Sequence, residues 1–400
     1  MSSTTIDLSL KQSADHAHLS RPIQYLVFSD VHLGHRLNKT KTILSHLDTF
    51  FKDYYDRFKE LDLIFIAGDL FDTLLDLSSE DVQDIMMWMS RLIRFCAIHQ
   101  IKLRILEGTP SHDWEQSSMF TTIENIAASQ VDFKYIKELS IEHIDEFGID
   151  ILYVPDEWHT DPKQTYEEVL TLLEKNHLKT IDIAIMHGQF TYQLPSAAIK
   201  APRHLEQDYL NLVKHYIHIG HVHQFSTYER ILAEGSFDRL CHGDEDPKGA
   251  IFARITPNFE DHFEFLVNQH ATIFKTIRLT KTHFENLFQY LDKQIEKYPI
   301  RSFIRLKSKE KILLNNQFED IKRRYPQYTL SKDIDSENRL ENSLFKTELD
   351  MTTYSPIVIR KENITELLME SITKKYPLSD ASLQLCRTFI EDTIRESSVV

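Results

Sequence analysis

Between residues 24 and 265 the chain repeats one pattern: a short apolar, β-branched run, a polar loop, then a segment with helical apolar spacing. Such runs, bounded by polar loops and alternating with amphipathic stretches, specify a layered α/β fold. The predicted strands are 25–29, 63–67, 102–106, 149–154, 181–186 and 215–219, with helical stretches such as 42–59 and 80–100 between them. In open α/β sheets, ligands bind beyond the carboxyl ends of strands, so residues just after each run are where chemistry is expected.

Composition narrows the function classes. With 42 % apolar and 27 % charged residues, the 400-residue chain has material for a large core and for two or three domains. Cys96, Cys241 and Cys386 are too far apart for a CxxC metal knuckle and too few for a disulfide framework, which fits a reducing compartment. No stretch approaches the ~20 apolar residues that span a membrane. The segment 1–20, expected to be flexible, has neither a basic leader nor an apolar signal core, so the chain reads as cytoplasmic with no membrane partner. A net charge of -15 argues against a uniformly basic nucleic-acid glove, but leaves room for a local basic face or for metals in an acidic cleft.

Five short patterns follow predicted strands: Asp30-Val-His32, Gly68-Asp69-Leu-Phe-Asp72, Gly108-Thr-Pro-Ser-His112-Asp113, His187-Gly188 and Gly220-His221-Val-His223. Any one is a common loop accident, but successive strand exits converge in space. Carboxylate oxygen and neutral imidazole nitrogen suit Mn, Fe or Zn, and the lack of cysteine argues against a structural zinc knuckle. Period-2 alternation is expected to put Asp30 with His32, and His221 with His223, on one side of an extended segment, each pair reaching one cluster. Asp69 can bridge two ions with its two oxygens, as a pair ~3.5–4 Å apart requires. The physical reading is a site for two divalent metals, suited to in-line attack on phosphorus.

Over roughly residues 24–255 these patterns resemble the calcineurin-like metallophosphoesterase family. The resemblance implies a two-sheet sandwich flanked by helices. It also implies one metal on Asp30, His32, Asp69 and His223, and another on Asp69, His187, His221 and residue 111. His112 would stand near the leaving group and protonate or stabilise the departing oxygen, typically worth about 10²- to 10⁴-fold, with Asp113 orienting its ring. The family usually reads Gly-Asn-His-Asp/Glu; here Ser111 stands before His112 and two extra residues follow the glycine. A serine hydroxyl is a weaker ligand, so the second site is expected to be weak, hydrated or substrate-dependent, with a degenerate inactive site as the alternative. Asp72 is read as bonding a ligating histidine or capping the next helix. His35 and His218 are read as packing or supporting residues. Trp114 is read as core, with stacking on a nucleobase as the alternative.

Asp30-Val-His-Leu-Gly34, Gly235-Ser236, the segment 243–249 and the apolar run 250–254 resemble the Mre11/SbcD-type DNA nuclease branch, tailed-phage relatives included. That likeness implies a Mn2+-preferring two-metal nuclease, with Mg2+, Fe2+ or Zn2+ as other cofactors. DNA, a Rad50/SbcC-like ATPase and a second copy of the chain are the implied partners. The expected domains are 1–20, 21–268 (nuclease), 269–340 (a smaller α+β capping unit) and 341–400 (a linker and a helical hairpin for ATPase docking, with helices at 362–376 and after 379). Residues 271–340 carry 15 Lys/Arg against 9 Asp/Glu, so Arg301, Arg305 and Lys307 are candidate DNA contacts, or simply a solvated basic surface. Two other functions fit: a phosphoesterase for small phosphodiesters or phosphoproteins, and a non-catalytic scaffold subunit.

Overall fold

The computed structural model describes residues 19–334 apart from positions 77, 128, 129, 157, 158, 160, 196, 197, 199 and 200; beyond them it describes 365, 369, 373, 382–388 and 390. One compact unit ends at Ile334 and a second spans Asp335–Val400. In the second unit, 365, 369, 373, 382–388 and 390 are helical. The other residues of the expected hairpin, and the N-terminal segment up to residue 18, lie outside the described residues.

In chain order the first unit contains β1 (Ile23–Phe28), α1 (Thr40–Asp53), α2 (Tyr55–Phe58), β2 (Leu63–Ala67), α3 (Glu80–His99), β3 (Lys102–Leu106), α4 (Pro110–Asp113), α5 (Met119–Ala127), β4 (Phe133–Ile136), β5 (Ser140–Ile144) and β6 (Ile149–Val154). It continues with α6 (Pro162–Lys175), β7 (Ile183–His187), α7 (Glu206–Leu212), β8 (Ile217–Gly220), β9 (Ser226–Tyr228), β10 (Ile231–Ala233), β11 (Gly249–Ile255) and β12 (His262–Val267). Last come β13 (Phe274–Leu279), α8 (Leu287–Ile295), β14 (Phe303–Ser308), α9 (Lys311–Arg324) and β15 (Thr329–Ile334).

Two mixed six-stranded sheets form an α/β sandwich, in the orders β12-β11-β1-β2-β3-β4 and β5-β6-β7-β8-β10-β9. Strands β1 to β4 are parallel, as are β6, β7, β8 and β10, while β11, β12, β5 and β9 run antiparallel at the flanks. The apolar runs look continuous because both faces of the central strands are covered. Tyr25, Val27, Leu63, Phe65, Ile151, Tyr153, Ile183 and Ile185 share the core between the sheets. Their alternates Leu26, Phe28, Ile64 and Ile66 meet Leu47, Phe50, Ile85, Met89 and Leu92 of α1 and α3. On the other outer face, Leu152, Ala184, Met186 and Ile219 meet Val169, Leu173 and Leu210 of α6 and α7. Each such large side chain contributes about 1.5–3 kcal/mol when fully buried. The helix α3 starts where the Ser79 side chain accepts from Val82 N–H, and it ends at Gln100 in the left-handed conformation.

The unit expected as α+β departs from that expectation. Its three strands are all parallel and are joined as β13-α8-β14-α9-β15, a small α/β layer. Ile277, Leu279, Ile304 and Leu306 pack with Leu291, Ile295, Leu314 and Phe318 of the two helices in a core of their own. The strand β15 is unanticipated because its sequence, TLSKDI, alternates polar residues and lacks an apolar run.

Candidate metal centre

Five strand exits, after β1, β2, β3, β7 and β8, bring their Asp and His side chains together. Ligand atoms of Asp30, His32 and His223 lie within 4.8 Å of one another, as do those of Asp69, His187 and His221, and those of His32, Asp69 and His112. The side chains of Asp30, His32, Asp69 and His187 are almost wholly withdrawn from solvent. Asp69 joins the groups: its Oδ1 lies 3.2 Å from His187 Nε2, while Oδ2 lies 3.8 Å from His32 Nε2 and 2.9 Å from His112 Nδ1.

The convergence comes from strained loops, which corrects the expectation of extended alternation. Asp30, His32, Asp69 and His221 have φ of 50°, 54°, 48° and 100°, so these side chains are aimed by left-handed backbone rather than by a strand's two faces. Such residues cost of order 1–3 kcal/mol each and persist where their surroundings hold them. Val31 and His32 N–H both donate to the Asp69 carbonyl. Both Asp30 carboxylate oxygens accept from His221 N–H at 3.0 Å, and Ser29 Oγ donates to Oδ2 at 2.6 Å. Consequently His221 and His223, which strand alternation would keep together, divide between two clusters, the division that the family resemblance implies. Gly108 passes so close to Asp69 that a Cβ there would collide with the Asp69 amide and carboxylate.

The donor chemistry fits divalent cations. Ala67 carbonyl accepts from His187 Nδ1 at 2.8 Å, so the other nitrogen, Nε2, points its lone pair at Asp69 Oδ1. Two acceptors face each other there, and a proton or a cation between them resolves the conflict. Burial disfavours a charged His187, but the Asp69 carboxylate outweighs it and raises the ring's pKa to about 10. His32 Nε2 and His223 Nε2 likewise stand 3.0 Å apart. Burial lowers the pKa of His221 and of His223, favouring the neutral imidazoles that metal binding needs.

Several expected residues take other places. Ser111 is exposed, and its carbonyl accepts from the Trp114 indole, so the hydroxyl expected at the second cluster is not its own. Thr109 is there instead: its N–H donates to Asp69 Oδ1 at 2.6 Å, and its Oγ1 lies 3.3 Å from Asp69 Oδ2, 3.4 Å from His187 Nε2 and 3.3 Å from His221 Nδ1. Counting forward from Gly108, rather than back from His112, is the signal that finds it. Asp113 does not orient the His112 ring. Its buried carboxylate accepts from Phe71 N–H at 2.8 Å and Gly108 N–H at 2.7 Å, and burial pushes its pKa up to about 7. Asp72 lies 3.1 Å from His32 Nδ1 and does not cap α3, a role Ser79 fills. His35 accepts from Asn38 N–H, and His218 is buried between Tyr25 and Glu234. Trp114, read as core, is 53 % exposed.

The basic candidates are partly engaged within the fold. Arg305 donates to the His242 carbonyl and Thr276 Oγ1, both at 3.2 Å, and Lys307 lies 3.6 Å from Asp333. Arg301 is exposed in the turn before β14, with φ of 70°. Lys248, which the motifs do not flag, is buried and donates to the His223 carbonyl at 2.6 Å and to Asp246 at 3.1 Å.

No protein-family model matches the chain. Among solved structures it is similar to TT1561 of Thermus thermophilus, at 12 % identity and a TM-score of 0.36, over 62 % of this chain and 99 % of that one. It is also similar to GAP50, the anchor in the inner membrane complex of Plasmodium, at 12 % identity and a TM-score of 0.37, over 62 % of this chain and 86 % of that one.

Proposed function

We propose that the chain is a metal-dependent phosphoesterase that hydrolyses DNA phosphodiester bonds, with two divalent cations, Mn2+ preferred, held by Asp30, His32, Asp69 and His223 and by Asp69, His187, His221 and Thr109. The observation that carries this reading is Asp69, a buried carboxylate whose two oxygens face different imidazole groups. Bound there, the cation pair would supply Lewis-acid neutralisation of the phosphate oxygens and acidify the attacking water.

The protein's own groups do the remaining work. The Ala67 carbonyl accepts from the outer nitrogen of His187 and so points the inner one into the site, while Asp72 lies 3.1 Å from the outer nitrogen of His32. The hydrogen bond to Asp69 raises the pKa of His112, against partial burial. This favours the protonated ring that a general acid needs, with its other edge available to a departing alkoxide. Asp113 holds the Gly108 and Phe71 amides and so keeps both loops in register.

The same reading carries a Rad50/SbcC-like ATPase partner, a homodimer and a cytoplasmic location, and makes Arg301 the exposed phosphate contact of the C-terminal α/β layer. Purified protein should cleave single- or double-stranded DNA in Mn2+, and Asp69→Ala should lose at least about 10³-fold, because both cations lose a ligand. Undiminished cleavage by that variant overturns the mechanism. Turnover of bis-p-nitrophenyl phosphate or a phosphopeptide, without salt-sensitive turnover of DNA, would assign the site to smaller substrates.

A further inference from the structure

We infer that Trp114 is a stacking platform for a nucleobase of the substrate, beside the phosphate held at the metal centre. This rests on the reading above that the site hydrolyses nucleic-acid phosphodiesters. Trp114 lies two residues after His112, whose ring contacts Asp69, and is 53 % exposed, whereas Trp88 is 3 % exposed in the core. A large aromatic left in water forgoes the burial that normally stabilises such a side chain.

The backbone is strained in order to leave it there. Trp114 and Glu115 both take left-handed φ, 50° and 52°, which side chains other than glycine, asparagine and aspartate adopt at a cost. Separate anchors hold that geometry. Glu115 N–H donates to the Glu107 carboxylate at 2.7 Å, and the Gln116 amide nitrogen donates to the Thr73 and Asp113 carbonyls while its oxygen accepts from Leu75 N–H. The indole N–H donates to the Ser111 carbonyl at 2.8 Å, so the ring is oriented by its own loop. That carbonyl belongs to the pair Pro110 and Ser111, which lies between Thr109 and His112. The pair inserted between Thr109 and His112 therefore fixes the indole.

A phosphodiester at the metal centre brings a base on each flanking sugar. A fixed, solvent-facing indole recognises any of the four by its π-face, without sequence preference. A peptide or a small aliphatic phosphodiester offers no such regular partner.

The test uses Trp114→Asn, which removes the ring but tolerates left-handed backbone, and Trp114→Phe, which keeps an aromatic face. On a single-stranded oligonucleotide, kcat/KM of Trp114→Asn should fall about tenfold or more, chiefly through KM, while Trp114→Phe retains most activity. On the same strand made abasic, the Asn variant should match the wild type. Equal losses on normal and abasic strands, or no loss on either, overturn the inference. Binding supplies an independent readout in EDTA: oligo-dT should quench the indole emission present in wild type and missing from Trp114→Phe, and an abasic strand should not. That quench without any DNA cleavage by the wild type would reject the nuclease reading and keep the stacking site. Cleavage with no quench would do the reverse.

Discussion

Thr109 and Ser111 stand two residues apart in one loop, yet only the Thr109 hydroxyl meets Asp69, His187 and His221. Thr109→Val keeps the side-chain shape and removes the oxygen. It should weaken one of two Mn2+ binding events about tenfold in calorimetry, whereas Ser111→Ala leaves both unchanged. A loss on Ser111→Ala instead would restore the spacing taken from His112. Residue types at the site were legible because a divalent cation demands oxygen and imidazole donors, and the α/β pattern places strand exits together. The way they converge was not legible. Asp and His enter the left-handed region more readily than most residues, but nothing in Asp30-Val-His32 says that both do so. The hydroxyl that meets Asp69 comes from Thr109 rather than Ser111 because a two-residue insertion can be counted from either end of the Gly108 loop.

At the scale of elements, the strands most nearly legible were β2, β3 and β6, which coincide with 63–67, 102–106 and 149–154 because both of their faces are buried. The short edge strands β9 and β4 escaped notice, since part-solvated edges need no apolar run. The segment between β7 and α7 carries its own pH dependence. His204 is buried there, bridged to Phe190 and 3.2 Å from the Tyr209 hydroxyl, and burial lowers its pKa from 6.5 to about 3. The unfolded ring takes up a proton near 6.5, but the folded one resists until about 3. Stability present above the unfolded value is therefore lost as pH falls between those limits, by about 2 kcal/mol from pH 7 to pH 5. Urea unfolding at those two pH values should show that loss shrinking in His204→Gln; an unchanged pH slope would show that His204 takes up its proton equally in the folded and unfolded states.

For the whole molecule, the loop from Leu240 to Gly249 links the C-terminal α/β layer to the metal centre. Lys275 pairs with Glu245 and Arg305 holds the His242 carbonyl at one end, while Lys248 holds His223 at the other. Arg305→Gln should raise amide exchange across 240–248 and lower turnover, while leaving the salt dependence of DNA binding as in the wild type. A salt slope reduced by about one would instead make Arg305 a phosphate ligand. The charge count over 271–340 marks a basic unit but carries no sign of this tether, because a side chain bonded to a backbone carbonyl leaves no pattern along the chain. The placement of β1 has a temporal consequence. It pairs with β2 on one edge and with β11 on the other, Ile23 opposite Ile255. A ribosome adding ~5–20 residues per second needs roughly 10–50 seconds between making the two strands. During that interval β1 presents an unpaired apolar edge, so truncated chains ending before β11 should be the aggregation-prone species during synthesis.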